Sequence, residues 1–244
     1  MIKFFRKIRQ RLLSENKFSK YLLYALGEII LVVIGILIAL QVNNSNENRK
    51  NRAKERLFLN QLHNDFKKNQ LALTSYKEQY KINTSYLDVI LRHTGPKVAV
   101  PSVKVFDSIQ NLYTPRVELL YSTDETQSGL NFDLLSNSSL VQTIKQLPIV
   151  FKLYHTHESG MTDLVIQQRK IHQQYVPLIV QESDKYPQEH FEVDSLGLLR
   201  NREFQNITVD RLWVSNSAKR TLNYVEKFND SIINLIEFEL KKYD

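Results

Sequence analysis

An unbroken apolar stretch near the N-terminus constrains this chain more than any other feature. Residues 21–40 read YLLYALGEIILVVIGILIAL, and 17 of these 20 positions are apolar. Twenty helical residues span about 30 Å, which is the thickness of the hydrocarbon core of a bilayer. Thirteen positions are Leu, Ile or Val, and each of these favours insertion by roughly 0.3 to 0.6 kcal/mol. We therefore predict a transmembrane helix over residues 21–41.

A cleaved signal peptide is the competing interpretation of this stretch. The apolar run of a signal peptide spans about 7 to 15 residues and ends at a cleavage site with small residues. The end of the stretch, Ile38-Ala39-Leu40-Gln41, does not form such a site. We expect the helix to be retained as a signal anchor.

The positive charge of the chain is concentrated ahead of this helix. The formal net charge is +7, and seven basic residues against Glu15 place +6 of it in residues 1–20. The remainder is close to neutral, so we expect no nucleic-acid partner. Basic residues mark the cytoplasmic side of a membrane helix. We therefore predict a cytoplasmic N-terminus and a C-terminal domain on the far side of the membrane.

Residues 1–20 also have an amphipathic pattern. Five apolar side chains fall within about half of a helical circle: Phe4, Phe5, Ile8, Leu12 and Leu13. A helix of this type lies in the headgroup layer, where each basic residue gains about 1 kcal/mol near anionic lipid. We predict a cytoplasmic amphipathic segment whose lipid contacts are made by Lys3, Arg6, Lys7, Arg9 and Arg11. The alternative is a basic tail that only sets the topology.

Glu28 lies within the predicted membrane helix, where an ionisable side chain is costly and often functional. It shares a helix face with Tyr24, Gly35 and Ala39, and the small residues of Gly35-x-x-x-Ala39 allow another helix to approach closely. Three interpretations stay open. Glu28 takes part in packing against a second membrane helix, it couples the protein to proton or ion movement, or it merely reaches back towards Lys20 and the headgroups.

The first 50 residues, from MIKFFRKIRQ to QVNNSNENRK, resemble the N-terminus of a Bacteroidetes family of membrane proteins that carries a domain of unknown function. The resemblance is close over residues 1–50. Beyond them only the run from Ser128 to Tyr154 follows the family's pattern, and Ser45 stands where an aromatic residue is frequent. The resemblance implies a bacterial inner-membrane protein, supports the predicted topology with a periplasmic C-terminal domain, and implies no known activity.

A seam of regularly spaced residues follows the membrane helix. No proline or glycine occurs between Asn46 and His93, which predicts a long helix. Ten positions spaced three and four apart form a heptad pattern: Leu59, Leu62, Phe66, Asn69, Leu73, Tyr76, Tyr80, Asn83, Leu87 and Ile90. We predict a membrane-proximal stalk over residues 42–58 and a helical bundle domain over 59–244. Asn69 and Asn83 either set the register or oligomeric state, or mark places where the seam is partly solvated.

The remaining sequence predicts three more long helices. The second begins at Asn137, has a kink at Pro148 and ends at Ser159-Gly160; the third covers Met161 to Ser183, with Leu178 inward. A loop over 184–199 precedes a last helix over 215–242, and Trp213 is predicted to face the core. Residues 94–136 show a short helix at 103–112, a loop or brief helix at 124–131, and weak signals for strand pairing at 98–100 or 116–121. The predicted fold class is all-α: one transmembrane helix, a stalk helix and an antiparallel helical bundle.

Motifs that would indicate catalysis or metal binding are weak. The chain has no cysteine, which excludes thiol chemistry. The run His155-Thr156-His157-Glu158 lacks the HExxH spacing of a zinc site and is typical of a polar helix surface. We expect no enzymatic activity, no cofactor and no metal.

These observations favour a membrane-anchored helical scaffold or interaction protein of the bacterial envelope. Its expected partners are membrane lipid and either a second copy of the chain or another membrane protein. The alternatives are an extracytoplasmic sensor or ligand-binding module that acts through a membrane partner, and an accessory subunit of an ion-coupled complex that uses Glu28.

The predicted topology can be tested with reporters fused to the C-terminus. A reporter that works only outside the cytoplasm should be active, and one that works only inside should be silent, because long domains follow the orientation set by the anchor. Activity of the cytoplasmic reporter would overturn the predicted orientation.

Overall fold

The computed structural model describes residues 18–99, 102–178 and 191–243, which contain helices and no strands. The helices are α1 (Phe18–Leu91), α2 (Val103–Gln110), α3 (Asp124–Gln127), α4 (Ser138–Tyr175), α5 (Ser195–Arg200) and α6 (Arg202–Leu240), with 3₁₀ turns at Phe132–Leu134 and Lys241–Tyr243. The all-α prediction is confirmed. The chain divides into two compact units, Met1–Arg56 and Leu57–Asp244.

The described part of the first unit is helical throughout, so the predicted membrane helix and the predicted stalk form one uninterrupted element. Its large apolar side chains between Leu22 and Val42 are 47 to 74% exposed. Among the described residues, one helix is long and apolar enough to cross a membrane, and none of its apolar window is buried within the protein. This helix is compatible with a single-pass membrane protein.

The second unit is built on the heptad seam of α1. Nine of the ten seam positions are buried and Tyr76 is partly buried. Asn69 and Asn83 are among the buried positions, so the interpretation of a partly solvated seam is wrong for both. The apolar stripe predicted for α4 is also buried, from Leu140 through Tyr154.

Side-chain pairs fix the directions of the long helices. Helices α1 and α6 are antiparallel, with contacts at His63–Glu237 (3.0 Å), Gln70–Asp230 (2.7 Å) and Lys77–Glu226 (2.6 Å). Helices α4 and α6 are also antiparallel, with hydrogen bonds at Asn137–Glu239 (2.6 Å) and Gln168–Thr208 (2.9 Å). Two helices that both oppose α6 run parallel to each other.

An irregular stretch, the 112–122 segment, lies along α1 in place of a fourth long helix. Asn69 anchors it, since its amide donates to the Leu120 carbonyl (2.9 Å) and its Oδ1 accepts from the Leu120 N–H (2.8 Å). Tyr121 adds a bond to Asp65 (2.7 Å). Burial and the Asp65 carboxylate raise the pKa of Tyr121 to about 12. A buried asparagine on the seam therefore fixes an irregular segment against the bundle.

Strand pairing, which the sequence left open at 98–100 and 116–121, is wrong for the described residues. Residues 112–119 belong to neither a helix nor a strand, and their backbone groups bond to side chains of α1 rather than to a second strand, as the Glu118 N–H does to Tyr76 (3.3 Å). Residue 100 lies outside the described residues. Val117 and Leu119 of this segment are buried.

The break predicted at Ser159-Gly160 is also wrong, because α4 continues from Ser138 through Pro148 and Gly160 to Tyr175. A glycine within a helix costs only about 1 kcal/mol relative to alanine. Burial continues across the glycine along one face, from Tyr154 to Met161, and outweighs that cost. The helix ends earlier than Ser183, and Leu178 is 62% exposed rather than inward.

Two further element boundaries near the C-terminus differ from the predicted ones. The predicted 184–199 loop contains α5, whose Leu198 and Leu199 are buried. The last helix begins at Arg202 instead of residue 215, because the Asn201 side chain caps it by accepting from the Phe204 N–H (2.8 Å). Trp213 lies on this earlier part of α6 and is 66% exposed, so its predicted core position is wrong.

The continuity of α4 predicts opposite effects for two glycine substitutions. Gly160→Ala should raise the free energy of unfolding by about 0.5 to 1 kcal/mol, because an added Cβ meets no atom within 4 Å and alanine favours a helix. Gly95→Ala is the control: the space is equally open, but its φ of +138° is strained for any L side chain, so it should destabilise. Denaturant unfolding of the full chain in detergent measures both. A destabilised Gly160→Ala would contradict an unbroken α4.

Candidate functional site

The membrane-helix face predicted from the sequence is exposed in the structure. Glu28, Gly35 and Ala39 all lie on α1 with exposed side chains, and a Cβ added at Gly35 would meet nothing within 4 Å. Their spacing of seven and four residues keeps them on one face of the helix. Glu28 borders an open groove together with Ala25, Ile29, Val32 and Val33, all on the same helix. The proposed packing or coupling role stays a prediction.

Part of that predicted site lies outside the described residues. Tyr24 is within α1, but its side chain is not described. The five basic residues assigned to lipid contact, Lys3, Arg6, Lys7, Arg9 and Arg11, precede residue 18 and are not described. Their contact with lipid stays a prediction.

A second site, which sequence reasoning missed, lies inside the bundle. Two apolar clusters fill the second unit. The first contains α1 residues as far as Tyr80 and α6 residues from Ala218 onwards. The second contains Ile90 of α1 and the α6 residues Phe204 and Ile207. Between them are five polar side chains, each at most 5% exposed. We call this group the polar layer: Asn83, Gln168, Thr208, Arg211 and Ser215.

Hydrogen bonds connect three members of the polar layer. The Gln168 amide donates to the Thr208 hydroxyl (2.9 Å), which itself donates to the Phe204 carbonyl (2.7 Å). Arg211 donates from Nη1 to the Gln168 Oε1. Gln168 is therefore fixed by two partners, and it holds one end of the guanidinium in place.

The other side of the guanidinium is weakly bonded. Arg211 Nη2 has two acceptors in the 112–122 segment, the Tyr113 carbonyl and the Thr114 hydroxyl, both at 3.4 Å. Among the described residues, Arg211 Nε has no hydrogen-bond partner, and the same is true of the Ser215 hydroxyl and of both amide atoms of Asn83. Buried polar atoms without partners are rare in folded proteins and need a physical explanation.

The pairs between α1 and α6 give the order of these atoms along the bundle. Ser215 is one turn along α6 from Arg211. Counted from Gln70–Asp230, Asn83 is level with residue 217 of α6, and counted from the nearer pair Lys77–Glu226 it is level with residue 220. Asn83 therefore lies beyond Ser215, roughly 9 to 14 Å along the helix axis from Arg211.

The charge of Arg211 has no counter-charge among the described ion pairs. Burial lowers the pKa of the guanidinium to about 10, which still leaves it a cation at neutral pH. Buried charges are normally paired with an opposite charge, because desolvation of an isolated ion costs several kcal/mol. The polar layer thus contains a buried cation that has no counter-charge among the described residues.

Two tyrosines meet one helical turn before Asn83. The Tyr80 and Tyr154 hydroxyls lie 2.9 Å apart, and both are within 3.5 Å of the Pro115 carbonyl. Burial raises the pKa of both phenols, so they stay neutral at physiological pH. They tie α1, α4 and the 112–122 segment together at this level.

Metal binding has no support from the described residues, which contain no group of three or more His, Asp or Glu side chains placed to hold an ion. His155 bonds to Glu158 (3.0 Å) on the exposed surface of α4. These two residues form a local pair one turn apart.

Residues 28–125 match a family of unknown function, DUF6090. The match agrees with the predicted domain of unknown function. It includes Glu28, Asn83 and Thr114 but ends before Gln168, Arg211 and Ser215. No curated protein and no solved structure matches the chain. The assignment to Bacteroidetes stays a prediction.

Asn83 and Asn69 should respond in opposite ways to the same substitution. Asn69→Leu removes two bonds to the 112–122 segment and should lower the free energy of unfolding by about 1 to 3 kcal/mol. Asn83→Leu replaces an amide that has no protein partner by an apolar side chain of similar size, so it should raise the free energy of unfolding by about 1 kcal/mol. Unfolding of both variants in buffer free of organic acids measures the difference. Equal losses would show that Asn83 has a partner within the bundle.

Proposed function

We propose that this protein is a membrane-anchored scaffold or interaction protein of the bacterial envelope, with a cytoplasmic N-terminus and a periplasmic helical domain. The observation that carries the proposal is the combination of two units. One holds an apolar helix that the protein does not bury, and the other has apolar cores of its own. An anchor attached to an independently packed bundle suits a protein that keeps other components near the membrane.

Exposed aromatic residues on α6 support a role in protein contacts. Trp213, Tyr224 and Phe238 are each more than half exposed. Their spacings of 11 and 14 residues keep them within about 40° of one another around the helix. Tryptophan and tyrosine are enriched at the centres of protein interfaces, and a single helix face that presents three aromatic rings is suited to bind a protein partner.

The membrane helix offers a second contact surface. Gly35 and Ala39 form a small-residue pair on the Glu28 face, and such pairs let two membrane helices approach closely. We propose that this face packs against a second copy or another membrane protein, with membrane lipid around the rest of the helix. The proposed role is assembly, without catalysis, a cofactor or nucleic acid.

A sensor or ligand-binding module is the second candidate, and the polar layer favours it. A scaffold needs only a well-filled interior, whereas Asn83, Arg211 and Ser215 keep unpartnered polar atoms in the core. Signal output would then pass through a membrane partner. An accessory role in an ion-coupled complex through Glu28 is the third candidate.

Association through the Glu28 face predicts that two matched glycine substitutions differ. Gly35→Leu should reduce the recovery of the partner, or of the second copy, several-fold, because a bulky side chain separates closely packed helices. Gly27→Leu makes the same change on another face of α1, where the added Cβ also meets nothing within 4 Å, and should leave recovery unchanged. Crosslinking in native membranes followed by detergent purification measures both.

Glu28→Gln separates the interpretations of the acidic side chain. If Glu28 only reaches towards the headgroups, protein abundance and partner recovery should match the wild type. If it hydrogen-bonds in the interface as the protonated acid, glutamine should retain most of the association and Glu28→Leu should lose it. Equal recovery from Gly35→Leu, Glu28→Leu and the wild type would contradict packing on this face.

A further inference from the structure

We propose that the polar layer is a binding site for a small carboxylate, which pairs with the free edge of the Arg211 guanidinium. The site lies inside the second unit and is separate from the exposed aromatic face of α6. It is independent of the scaffold role and would make the bundle responsive to a small organic acid.

The geometry of Arg211 selects the kind of anion. Nη1 donates a hydrogen bond to Gln168. Among the described residues, Nε has no hydrogen-bond acceptor, and Nη2 has two distant acceptors at 3.4 Å. Nε–H and one Nη2–H point in parallel along the same edge of the guanidinium. A planar carboxylate accepts both hydrogen bonds at once, and such bidentate pairs are stronger and more specific than contacts with a spherical ion.

Ser215 adds a further donor. It is fully buried, it has no hydrogen-bond partner among the described residues, and it lies one turn along α6 from Arg211. The Ser215 hydroxyl can donate to a carboxylate lone pair that the guanidinium leaves free.

Charge complementarity argues for an anion rather than for water alone. The groups that bond to Arg211 are an amide on α4 and a carbonyl and a hydroxyl on the 112–122 segment. None of these carries a negative charge. Water would satisfy the unpartnered hydrogen bonds, but it would leave a buried cation uncompensated. A carboxylate supplies both the acceptors and the missing charge.

The 112–122 segment lies over the Arg211 side chain and contacts it through two long hydrogen bonds. Tyr113 is 37% exposed, and it lies with Thr114 between the solvent-facing surface of the segment and the guanidinium. Their two long contacts with Nη2 are the bonds that a carboxylate would replace. A ligand can therefore reach Arg211 from the side of the 112–122 segment, without separating the long helices.

The test uses the full chain in detergent micelles, titrated with formate and acetate at constant ionic strength. We expect saturable binding by calorimetry together with a rise in Tm, and a shift of the Arg211 Nε–H resonance in ¹⁵N-arginine-labelled protein. Chloride at the same ionic strength should have at most one tenth of the affinity of acetate. Equal affinity for chloride would overturn the carboxylate class, and no saturable response to either acid would overturn the site.

Matched variants locate the site. Arg211→Lys keeps the charge but loses the two parallel donors, and it should weaken acetate binding ten-fold or more. Arg220→Lys is the control: Arg220 is exposed on the same helix, and within the described part of the chain it donates to the Ser217 hydroxyl one turn away (2.9 Å), so binding should be unchanged. Should Arg211→Lys fail to fold, Ser215→Ala provides the same test with a smaller expected loss, about three-fold. Equal losses in Ser215→Ala and Arg220→Lys would overturn the assignment.

Discussion

The fold depends on where the apolar surface of the first unit is buried. Large side chains from Leu22 to Val42 are about half exposed or more, and no part of the second unit needs them, since its own clusters are complete. Exposed apolar area costs roughly 25 cal/mol per Å² in water. A lipid bilayer removes that cost and leaves every backbone hydrogen bond satisfied within the helix.

Within the second unit, polar side chains at core positions form hydrogen bonds that hold the 112–122 segment against the helices. The Asn69 side chain forms hydrogen bonds with both the N–H and the carbonyl of Leu120, as a neighbouring strand would. The Tyr80–Tyr154 pair meets the same segment at Pro115. The polar layer lies between the two apolar clusters. It contains buried polar atoms that have no hydrogen-bond partner among the described residues. A fold optimised for stability alone would not retain those atoms, and the proposed carboxylate site would account for them.

The sequence predicted the parts of the fold that depend on helical periodicity. The seam of α1 and the first half of α4 are buried as expected, because apolar residues recur there at helical spacing. The start of α6 was missed because Thr208, Arg211 and Ser215 occupy its core-facing positions, so the apolar stripe disappears where the polar layer lies. The 112–122 segment was missed because it is held by Asn69, about 50 residues away in the chain. A cap at Asn201 followed by polar residues at helical spacing was the available signal for both the helix and the site.

Membrane extraction tests the central claim most directly. After cell lysis and a wash of the membranes with alkaline carbonate, the full-length chain should remain in the membrane fraction and be released only by detergent, because the apolar face of α1 is then buried in lipid. Mass spectrometry of the recovered protein should find residues 21–41 intact. A mature protein that is freely soluble and lacks its first 40 residues would contradict the anchor.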